Sequence, residues 1–210
     1  MIRQSLKDIY FWVNRWAVIP NTYLARWRYR NPPPEGWSLH LGCGETYIPG
    51  MVNIDGYLRR KKEAWLDLRN RLPFADGSAG FVYCSHMLEH LYPEEAIRLL
   101  REIRRVLKST GVARIATPCM EHALRIADNK AHYDLSRDFD DPLARAVDYL
   151  FCHGQHKYGY SFGLLSDFAR EAGFSTVDHY SEQHGEAAKK YGGVTVGDEP
   201  EGSLVVELKP

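Results

Sequence analysis

From Trp37 onward, short apolar runs alternate with segments of helical periodicity, which restricts the fold to an α/β domain with a largely parallel sheet. The spacing predicts strands over 37–41, 51–55, 64–67, 80–84, 111–116, 174–180 and 203–208. The clearest helix covers 93–108. Pro93 takes its first position, where no N–H is missed, and Glu94 and Glu95 fill the first turn. Ile97, Leu100, Ile103 and Leu107 form its apolar stripe, and Arg104, Arg105 and Lys108 suit its last turn. A second helix over 162–172 carries Leu164, Leu165, Phe168 and Ala172 on one side and stops at Gly173.

The stretch 118–160 is too long for a structureless connection, and a helix is expected near 142–152. It follows the fifth strand, so it is read as an insertion over the carboxyl edge of the sheet, where open α/β sheets bind their ligands.

Residues 1–36 read as a separate helical extension and linker, with 37–210 as the main domain. Ile2, Leu6, Ile9, Val13 and Trp16 recur at helical spacing, and Pro20 is expected to end that helix. The first thirty residues hold six cations, one acid (Asp8) and seven aromatic residues, although the whole chain is neutral with 27 basic and 27 acidic residues. Neutrality disfavours a nucleic-acid partner, which needs surplus cations. The extension suits three roles: a lid on the domain, a dimer element, or a peripheral helix on an anionic membrane. Oligomeric state is not readable. Four cysteines without a C-x-x-C pair, and no secretory signal, make a reduced cytoplasmic setting the default.

The ligand-site grammar lies between Leu39 and His90. Leu39-His40-Leu41-Gly42-Cys43-Gly44 is a strand entering a G-x-G turn, where glycines let backbone N–H groups approach a ligand. Asp55 ends the second strand and can accept both hydroxyls of a ribose. Asp67 ends the third; it could take an adenine amine while Leu68 packs on the ring. The fourth strand runs straight into Ser85-His86-Met87-Leu88-Glu89-His90.

Taken in order, LHLGCG, VNID, DLRNRLPFADGSAGFVY, SHMLEHL and EIRRVLKSTGVARIATP resemble class I S-adenosylmethionine-dependent methyltransferases, especially the type-11 group. The later SFGLLSDFAREAGF is similar to the family's helix before the sixth strand. The resemblance implies a Rossmann-like seven-stranded sheet and S-adenosylmethionine as cofactor. It also implies that Gly42, Cys43 and Gly44 cradle the methionine moiety, Asp55 holds the ribose, and Asp67 and Leu68 contact adenine. Ser85 and His86 would lie near the transferable methyl. Two departures stand out. Tyr47 replaces the usual third glycine, and only residues 42–50 separate the first two strands, so the first crossover helix is reduced to a turn or two around Pro49-Gly50.

His86-x-x-Glu89-His90 is an inverted zincin string, but that signature needs one helix through all five residues, and Pro93 opens a separate helix. His122, His132, His153 and His156 could share a metal, yet no ligand spacing supports it, so no metal is expected. A nicotinamide dehydrogenase wants three glycines and an acid about 20 residues on, whereas Asp55 follows Gly42 by 13. A non-catalytic nucleotide-binding domain of the same fold is the remaining alternative.

The acceptor that the resemblance implies is a small molecule, sugar or lipid-linked glycan, methylated on oxygen or nitrogen. Such an acceptor gains from a base with a pKa near neutrality, and His86, His153 and His156 are the candidates in that order. Tyr158 and Tyr160 either line the acceptor pocket or are core aromatics.

Overall fold

The computed structural model describes residues 4–59, 61–127, 139–180, 199 and 201–210. Seven strands form one sheet: β1 (Trp37–Leu41), β2 (Val52–Asp55), β3 (Ala64–Trp65), β4 (Ala79–Ser85), β5 (Leu107–Pro118), β6 (Thr176–Tyr180) and β7 (Ser203–Lys209). Their order is β3-β2-β1-β4-β5-β7-β6. The pairs among β1–β5 are parallel, and β7 is antiparallel to both of its neighbours. The sheet is the Rossmann-like one expected, with shifted strand ends. β3 stops at Trp65 because the chain turns at Asp67, whose carboxylate accepts the Arg69 N–H. Leu107, expected to close a helix, opens β5 by pairing with Ala79.

The two faces of the sheet differ in chemistry. One is apolar. Leu39, Leu41, Ile54, Val82, Cys84 and Ile115 pack there with helices α3 (Pro93–Val106) and α6 (Phe162–Glu171). The α3 stripe is rotated from the expected one: Ala96, Leu99, Leu100, Ile103 and Val106 are buried, and Ile97 is only half-buried. Across the other face runs a row of cross-strand neighbours, Asn53, His40, Tyr83, Arg114 and Glu207. All five are buried. Arg114 forms ion pairs with Glu207 and with Glu199, so these charges enter the interior already compensated.

Between β1 and β2 no helix forms, as the short spacing predicts, and Asn53 replaces it as the organiser of the turn. Its Oδ1 accepts the Ile48 N–H, and its Nδ2 donates to the carbonyls of Ile48 and Met51. Ile48 and Met51 are thereby set against Phe81 and Tyr83.

Helix α1 (Gln4–Ala17) leads into α2 (Ile19–Arg28). Pro20 therefore starts a helix in its first turn and does not end one, consistent with proline's place at helix N-termini. Phe11, Asn14 and Val18 of this unit turn inward, and Ala25 and Tyr29 join the main core. The expected stripe of Leu6, Ile9, Val13 and Trp16 points the other way and is exposed; Ile2 lies outside the described residues. The 118–160 stretch contributes α4 (Met120–Ile126) and α5 (Pro142–Phe151), the latter close to the expected helix. Among the described residues, no helix is long and apolar enough to cross a membrane.

Candidate active site

A cavity of about 300 Å³ opens at the carboxyl ends of β1, β2 and β4. That volume is at the small end of the range for ligand pockets. Gly42 and Gly44, Asp55, Asp67, Leu68 and His86 all line it, which brings six of the sequence-predicted site residues together.

The turn after β1 works differently from the expectation. The N–H groups of Gly42 and Cys43 both donate to the Ile54 carbonyl, and the Gly44 N–H donates to Asp55 Oδ2 at 2.9 Å. None of the three is left to cradle a ligand. The turn supplies space: Gly44 has φ +51°, and a Cβ there would meet nothing nearer than 4.0 Å. Cys43 is buried and does not line the cavity; burial, the charge of Asp55 behind it, pushes its thiol up to about 11.

Asp55 joins the two loops. Its Oδ2 holds Gly44 and its Oδ1 accepts the Tyr57 N–H at 2.6 Å. A carboxylate oxygen has two lone-pair directions, so each keeps one for a ligand hydroxyl. Asp67 is gripped by Arg69, whose guanidinium also donates to the Phe11 carbonyl and so ties α1 to the turn after β3.

Ser85 and His86 part company. Ser85 bonds the hydroxyl of Tyr83, two residues back on the same face of β4, and it does not line the cavity. His86 does line it, with φ +49°, a left-handed conformation uncommon for a side-chain-bearing residue and often found at functional sites. Its Nδ1 lies 3.4 Å from Glu89 Oε1, and its Nε2 lies 2.8 Å from Ser203 Oγ.

Of the other candidate bases, His156 stands outside the cavity with its Nε2 4.0 Å from the same Glu89 oxygen. Burial lowers its pKa, against a hydrogen bond from its ring to Leu150. His153 falls in the turn Cys152–Gly154, and its side chain lies outside what the structure describes, as does His132. His122 sits on α4 against Arg125 and Tyr149. Tyr160 is a core residue, fully buried, and Tyr158 packs beside it against the same core.

Sequence reasoning missed the residues that reach the site from a distance. Lys7, Asp8 and Phe11 of α1 form one wall, and Gln155 and Lys157 another, linked where Lys7 Nζ donates to Gln155 Oε1 at 3.0 Å. Asn14 is 2% exposed, neither atom of its amide has a hydrogen-bond partner among the described residues, and it abuts Gly56 next to Asp55. A signal existed only for α1, in its aromatic content.

Residues 47–115 match the family described as "Methyltransferase domain". No curated protein matches the chain in sequence. Among solved structures, a SAM-dependent methyltransferase from Archaeoglobus fulgidus is 15% identical, with a TM-score of 0.56 over 90% of this chain and 94% of that one. An S-adenosylmethionine-dependent methyltransferase from Mesorhizobium loti is 20% identical, with a TM-score of 0.50 over 90% of this chain and 98% of that one. The residues present fit such a donor. Gly44 leaves room that a Cβ would fill, Asp55 keeps acceptor capacity for a ribose, and Leu66, Leu68, Met87 and Phe11 offer apolar walls for a purine.

Proposed function

We propose that the chain is a class I methyltransferase domain of the type-11 group that takes its methyl from S-adenosylmethionine, that it methylates an oxygen or nitrogen of a lipid-linked glycan or comparable small acceptor, and that it works peripherally on an anionic membrane in the cytoplasm. The cofactor supplies an electrophilic methyl on a sulfonium centre.

The protein's part is positioning, which can contribute roughly 7–11 kcal/mol when reactants are held in near-attack geometry. Asp55 anchors the donor end. His86 takes the proton of the acceptor: it stands on the cavity wall, and the Glu89 carboxylate beside Nδ1 stabilises the imidazolium that forms. Ser203 steadies the ring from the Nε2 side. The wall formed by α1 keeps water from the site.

The observation that carries the membrane reading is the two-sided character of α1. Its inner side walls the cavity with Lys7, Asp8 and Phe11, while Leu6, Ile9, Trp12, Val13 and Trp16 stand exposed on the outer side. At about 100° per residue these five fall within roughly one third of the helix circumference. α2 continues the pattern with Tyr23 at 70% and Trp27 at 65% exposure, Arg26 and Arg28 flanking them. Exposed tryptophans rimmed by arginines match the chemistry of an anionic lipid interface. The four free cysteines suit a reducing compartment.

Co-sedimentation with vesicles tests this reading. Binding to phosphatidylglycerol-containing vesicles that phosphatidylcholine vesicles do not match, and that Trp12→Ser with Trp16→Ser abolishes, is the expected result. A concentration-dependent dimer that the same pair of substitutions dissolves, with no vesicle binding, would overturn it in favour of a second copy.

A further inference from the structure

We propose that Glu89, His90 and His156 form a binding site for one divalent transition-metal ion beside the cavity, with His90 on the cavity wall. One ligand atom from each residue lies within 4.8 Å of the other two. The carboxylate is the unusual member. Glu89 is 1% exposed, and neither oxygen has a hydrogen-bond partner among the described residues. A buried carboxylate without such partners is strongly unfavourable unless it is neutralised or coordinates a cation.

Both imidazoles are already set for coordination. His156 Nδ1 faces the Leu150 carbonyl at 2.6 Å, and His90 Nδ1 faces the Gln155 carbonyl at 3.1 Å. A carbonyl only accepts, so each Nδ1 carries the hydrogen and each Nε2 keeps its lone pair. Backbone or carboxylate acceptors behind the distal nitrogen are the usual second layer of a histidine–metal site. The two chain segments are also locked together: the Glu89 carbonyl accepts the N–H groups of Lys157 at 2.8 Å and Tyr158 at 3.2 Å.

The arrangement is not the inverted zincin signature. Leu88–His90 is a single 3₁₀ turn, so His86 and His90 do not share a helix face; the pairing is Glu89 with His90 and the distant His156. Two imidazoles and one carboxylate suit Zn²⁺, Mn²⁺ or Fe²⁺ better than Mg²⁺ or Ca²⁺. Three protein ligands would leave a coordination position open, as catalytic sites do, and His90 is the ligand that lines the cavity.

Its role rests on the methyltransferase reading. The open position would hold the oxygen of a hydroxyl acceptor and ease loss of its proton. That proton passes to His86, the oxygen–carbon bond forms as the methyl's bond to sulfur breaks, and the ion is unchanged. Glu89, with two oxygens, can ligate the ion and still face His86.

The test is calorimetric titration of chelator-stripped protein with Zn²⁺ and separately with Mn²⁺, with bound metal counted by elemental analysis. One ion per chain is expected for at least one of the two. Glu89→Gln and His156→Ala should each weaken it at least 100-fold, and His179→Ala, at an exposed histidine on β6, should leave it unchanged. No stoichiometric binding by the wild type, or full binding by both variants, overturns the site; the wild-type result stands even if a variant misfolds. Titrating the same stripped protein with S-adenosylhomocysteine separates the two readings: nucleoside binding without metal binding overturns the metal site alone, and neither overturns both.

Discussion

A Cβ on Gly42 would lie 2.2 Å from Cγ of Met87, and Gly42 holds φ at +68°. The turn that opens the cavity is thus packed from behind by the residue that follows His86. Gly42→Ala should lower the melting temperature for two reasons: left-handed backbone costs roughly 1–2 kcal/mol for an alanine, and the Met87 side chain must move. Gly44→Ala, with φ +51° and open space ahead, should carry the backbone penalty alone. Thermal unfolding of both variants checks the order, and Met87→Ala should restore part of the loss in Gly42→Ala but none in Gly44→Ala.

His40 gives a pH dependence with a definite sign. Its Nδ1 lies 3.0 Å from Asn53 Oδ1, which also accepts the Ile48 N–H, so the hydrogen sits on Nδ1. Burial lowers its pKa, outweighing the hydrogen bond to Asn53 and the charge of Asp55. The unfolded chain therefore takes up a proton near pH 6.5 that the folded one refuses. Stability should be at its full value above about pH 6.5 and fall as the pH drops toward the lowered folded value. His156, lowered in the same direction, adds to the slope. Melting temperature followed from pH 7.5 to 5.5 should show that fall, and His40→Gln should flatten it whatever its effect at pH 7.5.

Arg114 is buried between Glu199 and Glu207, with ion-pair distances of 2.7 and 3.1 Å. Arg114→Met should destabilise the fold by roughly 3–5 kcal/mol, because two carboxylates are left in the interior without their cation. Adding Glu199→Gln and Glu207→Gln should recover much of that loss. Denaturant unfolding of the single and triple variants measures the difference.

Arg26 and Arg28 flank the exposed aromatic residues of α2. Near an anionic surface each basic residue contributes about 1 kcal/mol, so replacing both with Gln should weaken vesicle binding roughly 30-fold. Raising the salt concentration should weaken the wild type and leave the double variant less affected.

The sheet was readable because each strand is a local pattern bounded by turn residues, and the alternation of elements leaves few topologies. That Gly42, Gly44, Asp55, Asp67, Leu68 and His86 line one cavity was readable for the same reason: they sit at or just beyond strand ends, and strand ends meet at one edge. That Cys43 and Ser85 do not line it was not readable, because it follows from local bonding: the N–H groups of Gly42 and Cys43 close on Ile54, and Ser85 bonds back to Tyr83. What lay beyond reach was long-range. That Phe11 meets Arg69, that His156 comes back to Glu89, and that the apolar stripe of α1 faces outward all depend on how separate elements dock.

The most direct test of the cofactor site is calorimetric titration with S-adenosylhomocysteine of the wild type and Asp55→Ala. Asp55 ties Gly44 and Tyr57 together and keeps acceptor capacity for two ribose hydroxyls. Losing two hydrogen bonds to a charged acceptor costs about 3 kcal/mol or more, at least roughly 100-fold in affinity. Micromolar binding by the wild type with that loss in Asp55→Ala is the predicted result. No binding by the wild type, or equal binding by the two proteins, would contradict it.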